Sequence, residues 1–200
     1  MKGAFVMTNI VASALRSCLS LEEKALEAGL TRARLVWTED IIYDLRSRIK
    51  CRLNTCHNYG TNFQCPPNLA EIETYIEMNR RYKLALLVQS QTDCESKVYD
   101  EAMEELMRRQ SLNLLKTLVG LERTCFGLGF PYALASAGGS CKVCSPCKAR
   151  LGEKACAHPE LARPSMEAMG IDITATCNRA GYPSDFLPGR LLLTGILYVC

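Results

Sequence analysis

Four cysteines near the end of the chain constrain its fold more than any other feature. Cys141, Cys144 and Cys147 are separated by two residues each, and Cys156 follows after eight more. Three thiolates this close in sequence can hold one iron–sulfur cluster, with the fourth thiolate arriving from a longer arm; bacterial ferredoxins use the same C-x2-C-x2-C run for a [4Fe–4S] cluster. Zinc sites more often combine two C-x2-C pairs that lie far apart. The spacing of this second cysteine group therefore favours iron–sulfur over zinc, with disulfide bonds or unligated thiols as the remaining alternatives.

Composition supports a metal-binding role for the cysteines. The chain has 12 Cys among 200 residues, and its formal net charge is +3. A charge this small does not indicate nucleic-acid binding. The segment 141–163 alone carries a formal charge of the same size, +3. Its charged residues are Lys142, Lys148, Arg150, Lys154 and Arg163, against Glu153 and Glu160. This local charge either offsets the negative charge of a thiolate-bound cluster or belongs to a solvated basic loop.

The sequence contains no segment typical of a membrane span. Such a span needs about 18 or more consecutive apolar residues. The N-terminal stretch ends in an A-x-A-like site, but Thr8 and Asn9 interrupt its apolar run and Lys2 alone makes a weak basic region for a signal peptide. Cysteines at metal-ligand spacing in a chain without a targeting signal predict a reducing, cytoplasmic location without membrane association.

Cys51, Cys56 and Cys65 form a first cysteine group. Turn-forming residues lie between them, namely Asn58, Gly60 and Asn62, and Pro66–Pro67 follows the last cysteine. We interpret this segment as a loop with three thiols directed to one metal centre; three buried, unligated cysteines are the alternative. His57 is a possible fourth ligand, but we favour a role as a hydrogen-bonding neighbour of Cys56.

The hydrophobic pattern predicts strands that alternate with helices. We expect strands at 33–38, 83–89, 132–137 and 190–199, with the continuous apolar run 83–89 in the interior of a sheet that is covered on both faces. We expect helices at 19–29, 69–80 and 98–118, the last packing on 83–89 and continuing towards 128. The fold class is therefore α/β or α+β, with a sheet of about four strands, helices and two cysteine-rich metal-binding loops at one edge. A single domain spans 1–200, with a cysteine-rich lobe at 138–186.

Local signals predict where these helices begin and end. Ser20 and Asn68 are candidate N-caps, Asp93 or Ser96 begins the long helix, and Gly29 and Gly129 are candidate stops. The segment 39–50 fits neither period. Residues 164–170 predict a compact helical turn, and residues 171–186 predict irregular structure.

Two motifs carry a resemblance to a known family. The first is C-x4-C-x2-Y-G-x4-C-P-P over 51–67, and the second is G-G-x-C-x2-C-x2-C-x8-C-x-H-P followed by A-R-P-S-M-E-A-x-G-I-D. Together they resemble the DUF2284 family of predicted metal-binding proteins, and the likeness spans about residues 33 to 186. The resemblance implies metal binding through the seven cysteines of the two groups, with iron–sulfur as the expected chemistry and no settled activity to carry over.

Seven motif cysteines divide into four and three. The second group completes one [4Fe–4S] cluster, whereas a cluster on the first group needs an eighth ligand or leaves one iron open. Cys125 and Cys177 are the preferred candidates for this ligand, and Cys94 is the next. An open iron would instead bind a substrate or small molecule, acting as a Lewis acid or a redox centre.

These observations leave three functions to compare. The leading hypothesis is a cytoplasmic protein with two [4Fe–4S] clusters that transfers electrons to a partner enzyme, whose identity the sequence does not predict. The rival is an enzyme or sensor with a three-cysteine cluster and an open iron, and the third is an interaction module stabilised by zinc.

Side chains near the second group have supporting roles in these hypotheses. His158 is either a donor to a cluster sulfur or a solvent-exposed loop residue. We expect Arg163, Glu167 and Asp172 to form a charge network that holds the second group.

Overall fold

The computed structural model describes residues 2–53, 56–94, 100–185 and 188–200, with side chains described from Leu15 onwards. Within these residues the chain forms an α+β fold with one antiparallel sheet. The strands are β1 (Arg32–Trp37), β2 (Leu84–Asp93), β3 (Leu134–Ala137) and β4 (Arg190–Tyr198). The α-helices are α1 (Lys2–Glu27), α2 (Leu45–Arg52), α3 (Ile72–Arg81), α4 (Glu101–Gly127) and α5 (Ile173–Arg179).

The sheet confirms the predicted strands, including the interior position of 83–89. Its order is β1-β2-β4-β3, and every neighbouring pair is antiparallel. In β2 the apolar residues from Ala85 to Val88 are fully buried, because β1 and β4 flank the strand and both faces of the sheet are covered. A continuous apolar run is the pattern such a strand requires.

One face of the sheet is covered by α1 and α4. Their buried side chains pack over Leu86, Val88 and Leu197 and form the first core: Cys18, Leu21 and Ala25 from α1, and Leu114, Leu118, Leu121 and Cys125 from α4. The long helix was predicted to pack on 83–89. It shares a core with Leu86 and Val88 of β2, but α4 packs mainly over β4 and β3. Glu22 also ties α1 to β1, since its carboxylate accepts a hydrogen bond of 2.6 Å from the Leu35 amide.

The opposite face is covered by the segment that follows the second cysteine group. Met166, Met169, Ile171 and Cys177 are fully buried there against the other side of the strands, where Ala85, Leu87, Ile196 and Tyr198 point. Successive side chains of β2 therefore point alternately into two separate cores, one on each face of the sheet.

The structure corrects the expectation that residues 171–186 are irregular. Ile173–Arg179 forms α5, and the Asp172 side chain caps its first turn by accepting a hydrogen bond of 2.9 Å from the Ala175 amide. Thr176 and Cys177 are buried. The helix is too short for its hydrophobic period to be recognised, and burial against the sheet stabilises it instead.

Three predicted helix starts were wrong. Helix α1 already begins at Lys2, so Ser20 lies inside it and donates its hydroxyl hydrogen bond to the Ser17 carbonyl. Helix α3 begins at Ile72, and the side-chain amide of Asn68 instead donates to the backbone carbonyl of Asn62. Asp93 belongs to β2 and Ser96 lies outside the described residues, while Asp100 caps α4 by accepting from the Met103 amide. Short polar side chains bond to many loop groups, so sequence alone does not select the one that caps.

The ambiguous segment 39–50 resolves into short elements. A 3-10 turn at Thr38–Asp40 is followed by an isolated bridge between Tyr43 and Ile171, and α2 then begins at Leu45. Asp44 caps α2 by accepting from the Arg46 amide. This segment leads directly to Cys51.

Candidate metal centre

The second cysteine group follows directly after β3. Gly138 and Gly139 make the turn, and both positions favour glycine. A Cβ at Gly138 would lie 3.2 Å from the Thr194 carbonyl oxygen, and Gly139 has a φ of +79°. The Gly139 amide donates to both carboxylate oxygens of Glu167, at 3.1 and 3.0 Å. This contact anchors the start of the group to the segment that covers the second core.

The thiols of the second group act electrostatically on one another. Burial raises the pKa of Cys141, and the charges of Cys156, Cys147 and Cys144 raise it further. The pKa of Cys144 is raised by burial and by Cys147 and Cys156, while Lys148 lowers it. The structure therefore brings these four half-buried thiols into one electrostatic neighbourhood.

Backbone amides in this segment point at sulfur atoms. The Val143 amide hydrogen-bonds Cys141 and lowers its pKa against the effect of burial. The His158 amide donates to Cys156 Sγ at 3.4 Å. The imidazole of His158 instead faces Glu160, with 3.5 Å between Nδ1 and Oε1. The contact with a cysteine sulfur, one of the two alternatives for His158, is thus made by its backbone rather than its side chain.

The first cysteine group begins on a helix rather than in a loop. Cys51 lies in the last turn of α2, whereas Cys56 and Cys65 lie in the turns that follow. The Cys65 amide donates to the Asn62 carbonyl at 3.1 Å, which closes the turn that carries Cys65. The first group thus begins at the end of a helix, whereas the second begins after a strand.

The thiols of the first group also share one neighbourhood. Burial and, to a smaller extent, the charges of Cys56, Cys51, Glu167 and Cys141 together raise the pKa of Cys65 to about 12. The pKa of Cys51 is likewise raised by burial, by Cys56 and by Glu167, while Arg48 lowers it. Because the charge of Cys141 acts on the pKa of Cys65, the two groups lie close to each other.

Hydrogen bonds join the two groups directly. The Asn62 side-chain amide donates to the Cys141 carbonyl oxygen at 3.1 Å, and the Arg150 guanidinium donates to the His57 carbonyl oxygen at 3.1 Å. The Ser165 amide donates to the Gln64 carbonyl oxygen at 3.2 Å. Asn62 is 3% exposed, so its contact lies in the interior between the groups. The structure therefore presents seven thiols on two segments that pack side by side.

A family model described as "Predicted metal-binding protein (DUF2284)" matches residues 34–199. The chain belongs to the DUF2284 family. This membership confirms the resemblance found in the two motifs. No curated protein and no solved structure matches the chain. The DUF2284 match includes both cysteine groups, and Cys18 and Cys200 lie outside it.

Cys125 and Cys177, the expected sources of an eighth ligand, lie in the two hydrophobic cores. Cys125 is fully buried in the first core, where the charges of Glu122 and Cys200 act on its pKa. Cys177 is fully buried in the second core and contacts the Gln89 amide at 3.6 Å and the Thr194 hydroxyl at 3.8 Å. Among the described residues, neither thiol is one of the groups that act on Cys51 or Cys65.

The expected charge network of Arg163, Glu167 and Asp172 does not form. Arg163 pairs with Glu122 of α4 at 2.5 Å, and Asp172 caps α5. Glu167 accepts hydrogen bonds from the Gly139 amide and, at 2.7 Å, from the Ser165 hydroxyl. The three side chains therefore make separate contacts, Arg163 with α4, Asp172 with α5 and Glu167 with the turn before Cys141.

Asn62 and Arg150 are the residues whose role sequence reasoning missed. Asn62 was recognised as a turn former and Arg150 as part of a basic segment. Their partners lie 79 and 93 residues away in sequence. No local pattern reports such a contact.

The described residues contain no group of three or more His, Cys, Asp or Glu side chains arranged to hold a single metal ion. In the same part of the chain, no helix has the length and apolar character to cross a membrane.

Proposed function

We propose that this protein binds two [4Fe–4S] clusters and transfers electrons to a partner enzyme in the cytoplasm. Cys141, Cys144, Cys147 and Cys156 would hold one cluster, and Cys51, Cys56 and Cys65 would hold the other. The observation that carries the proposal is the direct packing of the two cysteine groups, through Asn62 and Cys141 and through Arg150 and His57. Two centres on adjoining segments suit the passage of electrons from one to the other.

The second group fits a cluster in its donor set and its surroundings. Thiolate ligands carry negative charge, and hydrogen bonds to their sulfurs tune the potential of a cluster. The Val143 and His158 amides supply such hydrogen bonds to Cys141 and Cys156. Lys148 adds positive charge beside Cys144. Four thiolates would leave no iron without a protein ligand, as a simple electron carrier requires.

The first group differs, because it offers three thiols. The positions of Cys125 and Cys177 in the hydrophobic cores favour three cysteine ligands over a fourth thiolate from either residue. A cluster held by three thiolates supplies one iron that can bind a small ligand as a Lewis acid. This specific feature supports the second candidate function, an enzyme or sensor that binds a small molecule at the first group.

Glu167 is the carboxylate that faces the first group. Its charge acts on both Cys51 and Cys65. The Gly139 amide and the Ser165 hydroxyl hold its oxygens in place. Its negative charge raises the pKa of both thiols and so favours their protonated forms in the metal-free protein.

Metal analysis tests the proposal. We expect protein purified without oxygen to be brown and to contain about eight iron and eight sulfide per chain, the content of two [4Fe–4S] clusters. Reduction with dithionite should give a paramagnetic resonance signal from iron–sulfur clusters. Colourless protein with stoichiometric zinc and no sulfide would overturn the proposal in favour of the zinc-stabilised interaction module.

Ligand addition separates the carrier from the enzyme or sensor. Cyanide should leave the resonance spectrum unchanged if both clusters have complete protein ligation. A cyanide-dependent change in one signal that persists in the Cys125→Ser and Cys177→Ser variants would instead favour an open iron at the first group.

A further inference from the structure

Two cysteines outside the metal-binding motifs meet at the end of the sheet. Cys18 Sγ lies 3.9 Å from Cys200 Sγ, although the residues are 182 positions apart. Cys18 lies on α1 and is 1% exposed, whereas Cys200 follows β4 and is half-buried. The thiol contact thus joins the helix that covers the first core to the strand beneath it.

The surroundings of this pair are those of a dithiol in an apolar core. Cys18 belongs to the first core together with Leu21 and Val199, and Cys200 packs against the same cluster. Burial and, to a smaller extent, Cys200 and Cys125 together raise the pKa of Cys18 to about 12. Cys125 is therefore a third thiol in the neighbourhood, on α4.

This pair is separate from both cysteine groups. It belongs to the core between α1, α4 and the sheet, whereas the segment anchored to the cysteine groups by Glu167 and Ser165 covers the opposite face. Cys18 and Cys200 also lie outside residues 34–199, which the family model matches. The pair therefore lies outside the part of the chain that the family model matches.

We propose that Cys18 and Cys200 are a redox-active dithiol that forms an intramolecular disulfide by exchange with a small-molecule disulfide of the oxidised glutathione class. The Cys200 thiolate, as the more exposed of the two, attacks the small disulfide, releases one small thiol and forms a mixed disulfide. Cys18 then loses its proton, attacks Cys200 Sγ and displaces the second small thiol. The two cysteines give up two electrons and two protons, and the small disulfide becomes two thiols.

Formation of the bond requires a small movement. The sulfur atoms must approach from 3.9 Å to about 2.05 Å. The high pKa of Cys18 leaves little thiolate at neutral pH, so the second step should be slow and should accelerate as pH rises. The disulfide would fasten α1 to the end of β4, whereas the reduced protein holds α1 by packing and by the hydrogen bond from the Leu35 amide to Glu22.

Peptide mapping of the intact, anaerobically purified protein tests the proposal. The protein is incubated with oxidised glutathione, its remaining thiols are alkylated, and trypsin is added without reductant. We expect a linked pair of peptides, 17–24 and 191–200, which contain Cys18 and Cys200 as their respective cysteines. The yield of this pair should increase from pH 7 to pH 9. Iron content is measured before and after incubation, to check that the disulfide forms without loss of the clusters.

Variants assign the link to these two thiols. The Cys200→Ser variant should lose the linked peptides, and the Cys18→Ser variant should accumulate glutathione on Cys200. The Cys125→Ser and Cys94→Ser variants should retain the link. Persistent glutathione on Cys200 in the wild-type protein without the linked peptides would overturn the proposal. A link from Cys125 to either residue in place of the expected pair would overturn it as well.

Discussion

The side-chain amide of Asn62 donates a hydrogen bond to the carbonyl oxygen of Cys141, at 3.1 Å. The same side chain accepts from the Gln64 amide at 3.0 Å, and its residue is 3% exposed. Asn62 thus uses both ends of its amide, one within the first cysteine group and one towards the second. The bond makes the position of each group dependent on the other.

Replacing Asn62 by Asp should loosen both groups. The substitution replaces the donor by a carboxylate oxygen facing the Cys141 carbonyl, and a buried polar group left without a partner costs about 1–3 kcal/mol. We expect a lower thermal unfolding midpoint and faster release of iron to a chelator. The matched control is Asn58→Asp in the same loop, since Asn58 is half-buried. Equal effects of the two substitutions would contradict the linking role of Asn62.

The Cys144→Ser variant should lose about half of the bound iron, because one of two clusters loses a ligand. The segment 141–163 should also become more sensitive to proteolysis, since it has little apolar content of its own. Cys200→Ser is the control, because Cys200 is half-buried but lies outside both motifs. Unchanged iron content in Cys144→Ser would contradict the assignment of the second group.

Glu122→Gln should destabilise the protein by about 3 kcal/mol, because it leaves the largely buried charge of Arg163 without its partner. The Glu122 and Arg163 side chains are 13% and 14% exposed, and Glu122 also accepts a hydrogen bond of 2.7 Å from the Ala135 amide. The pair joins α4 to the segment after the second group. Denaturant unfolding measures the effect.

The control for this pair lies on the same helix. Glu105 pairs with Arg108 at 2.8 Å, but both side chains are well exposed. Glu105→Gln should therefore change stability little, because solvent screens exposed ion pairs. A similar loss in the two variants would show that the burial of Glu122 is not what matters.

Gly170→Ala should destabilise the protein by about 3 kcal/mol or more, through backbone strain and overpacking together. Gly170 has a φ of +92°, and a Cβ there would clash with the Ile72 side chain. Gly152→Ala is the control, since Gly152 has a φ of +77° with nothing within 4 Å of its Cβ position. Its cost should be about 1–2 kcal/mol from strain alone. Comparable unfolding midpoints for the two variants would contradict the close contact with Ile72.

The buried tyrosine pair predicts a loss of stability in alkali. The Tyr43 and Tyr198 hydroxyls lie 2.8 Å apart, and burial raises the pKa of Tyr43 to about 12 and that of Tyr198 well above its usual value. The unfolded chain releases these protons near pH 10. Between about pH 10 and pH 12 the folded protein therefore binds more protons than the unfolded chain, and stability falls as pH rises.

Tyr43→Phe should flatten this decline, by an amount on the order of 2 kcal/mol. The measurement is the free energy of unfolding in denaturant at several values between pH 8 and about pH 12. Tyr132→Phe is the control, because Tyr132 is 81% exposed. An unchanged slope in Tyr43→Phe would show that the pair does not titrate as a buried unit.

Several features of the fold could be predicted from local pattern. The apolar runs of β2 and β4 predict strands because an interior strand that is covered on both faces buries consecutive side chains. The spacing of the second cysteine group also predicts a metal centre from local sequence, since ligands a few residues apart can reach one centre without help from the rest of the fold. Helix α5 was missed because its seven residues are held by burial of Thr176 and Cys177 rather than by a recognisable period.

Local sequence was enough to predict the four strands and the sheet-and-helix class, because each depends on neighbours within a few residues. Which segments meet was settled only by the folded chain. Folding placed Asn62 against Cys141, sent Cys125 and Cys177 into opposite cores, and brought Cys18 to Cys200. These contacts follow from the strand order β1-β2-β4-β3 and from the packing of helices on both faces. They join residues far apart along the chain, and no local period encodes them.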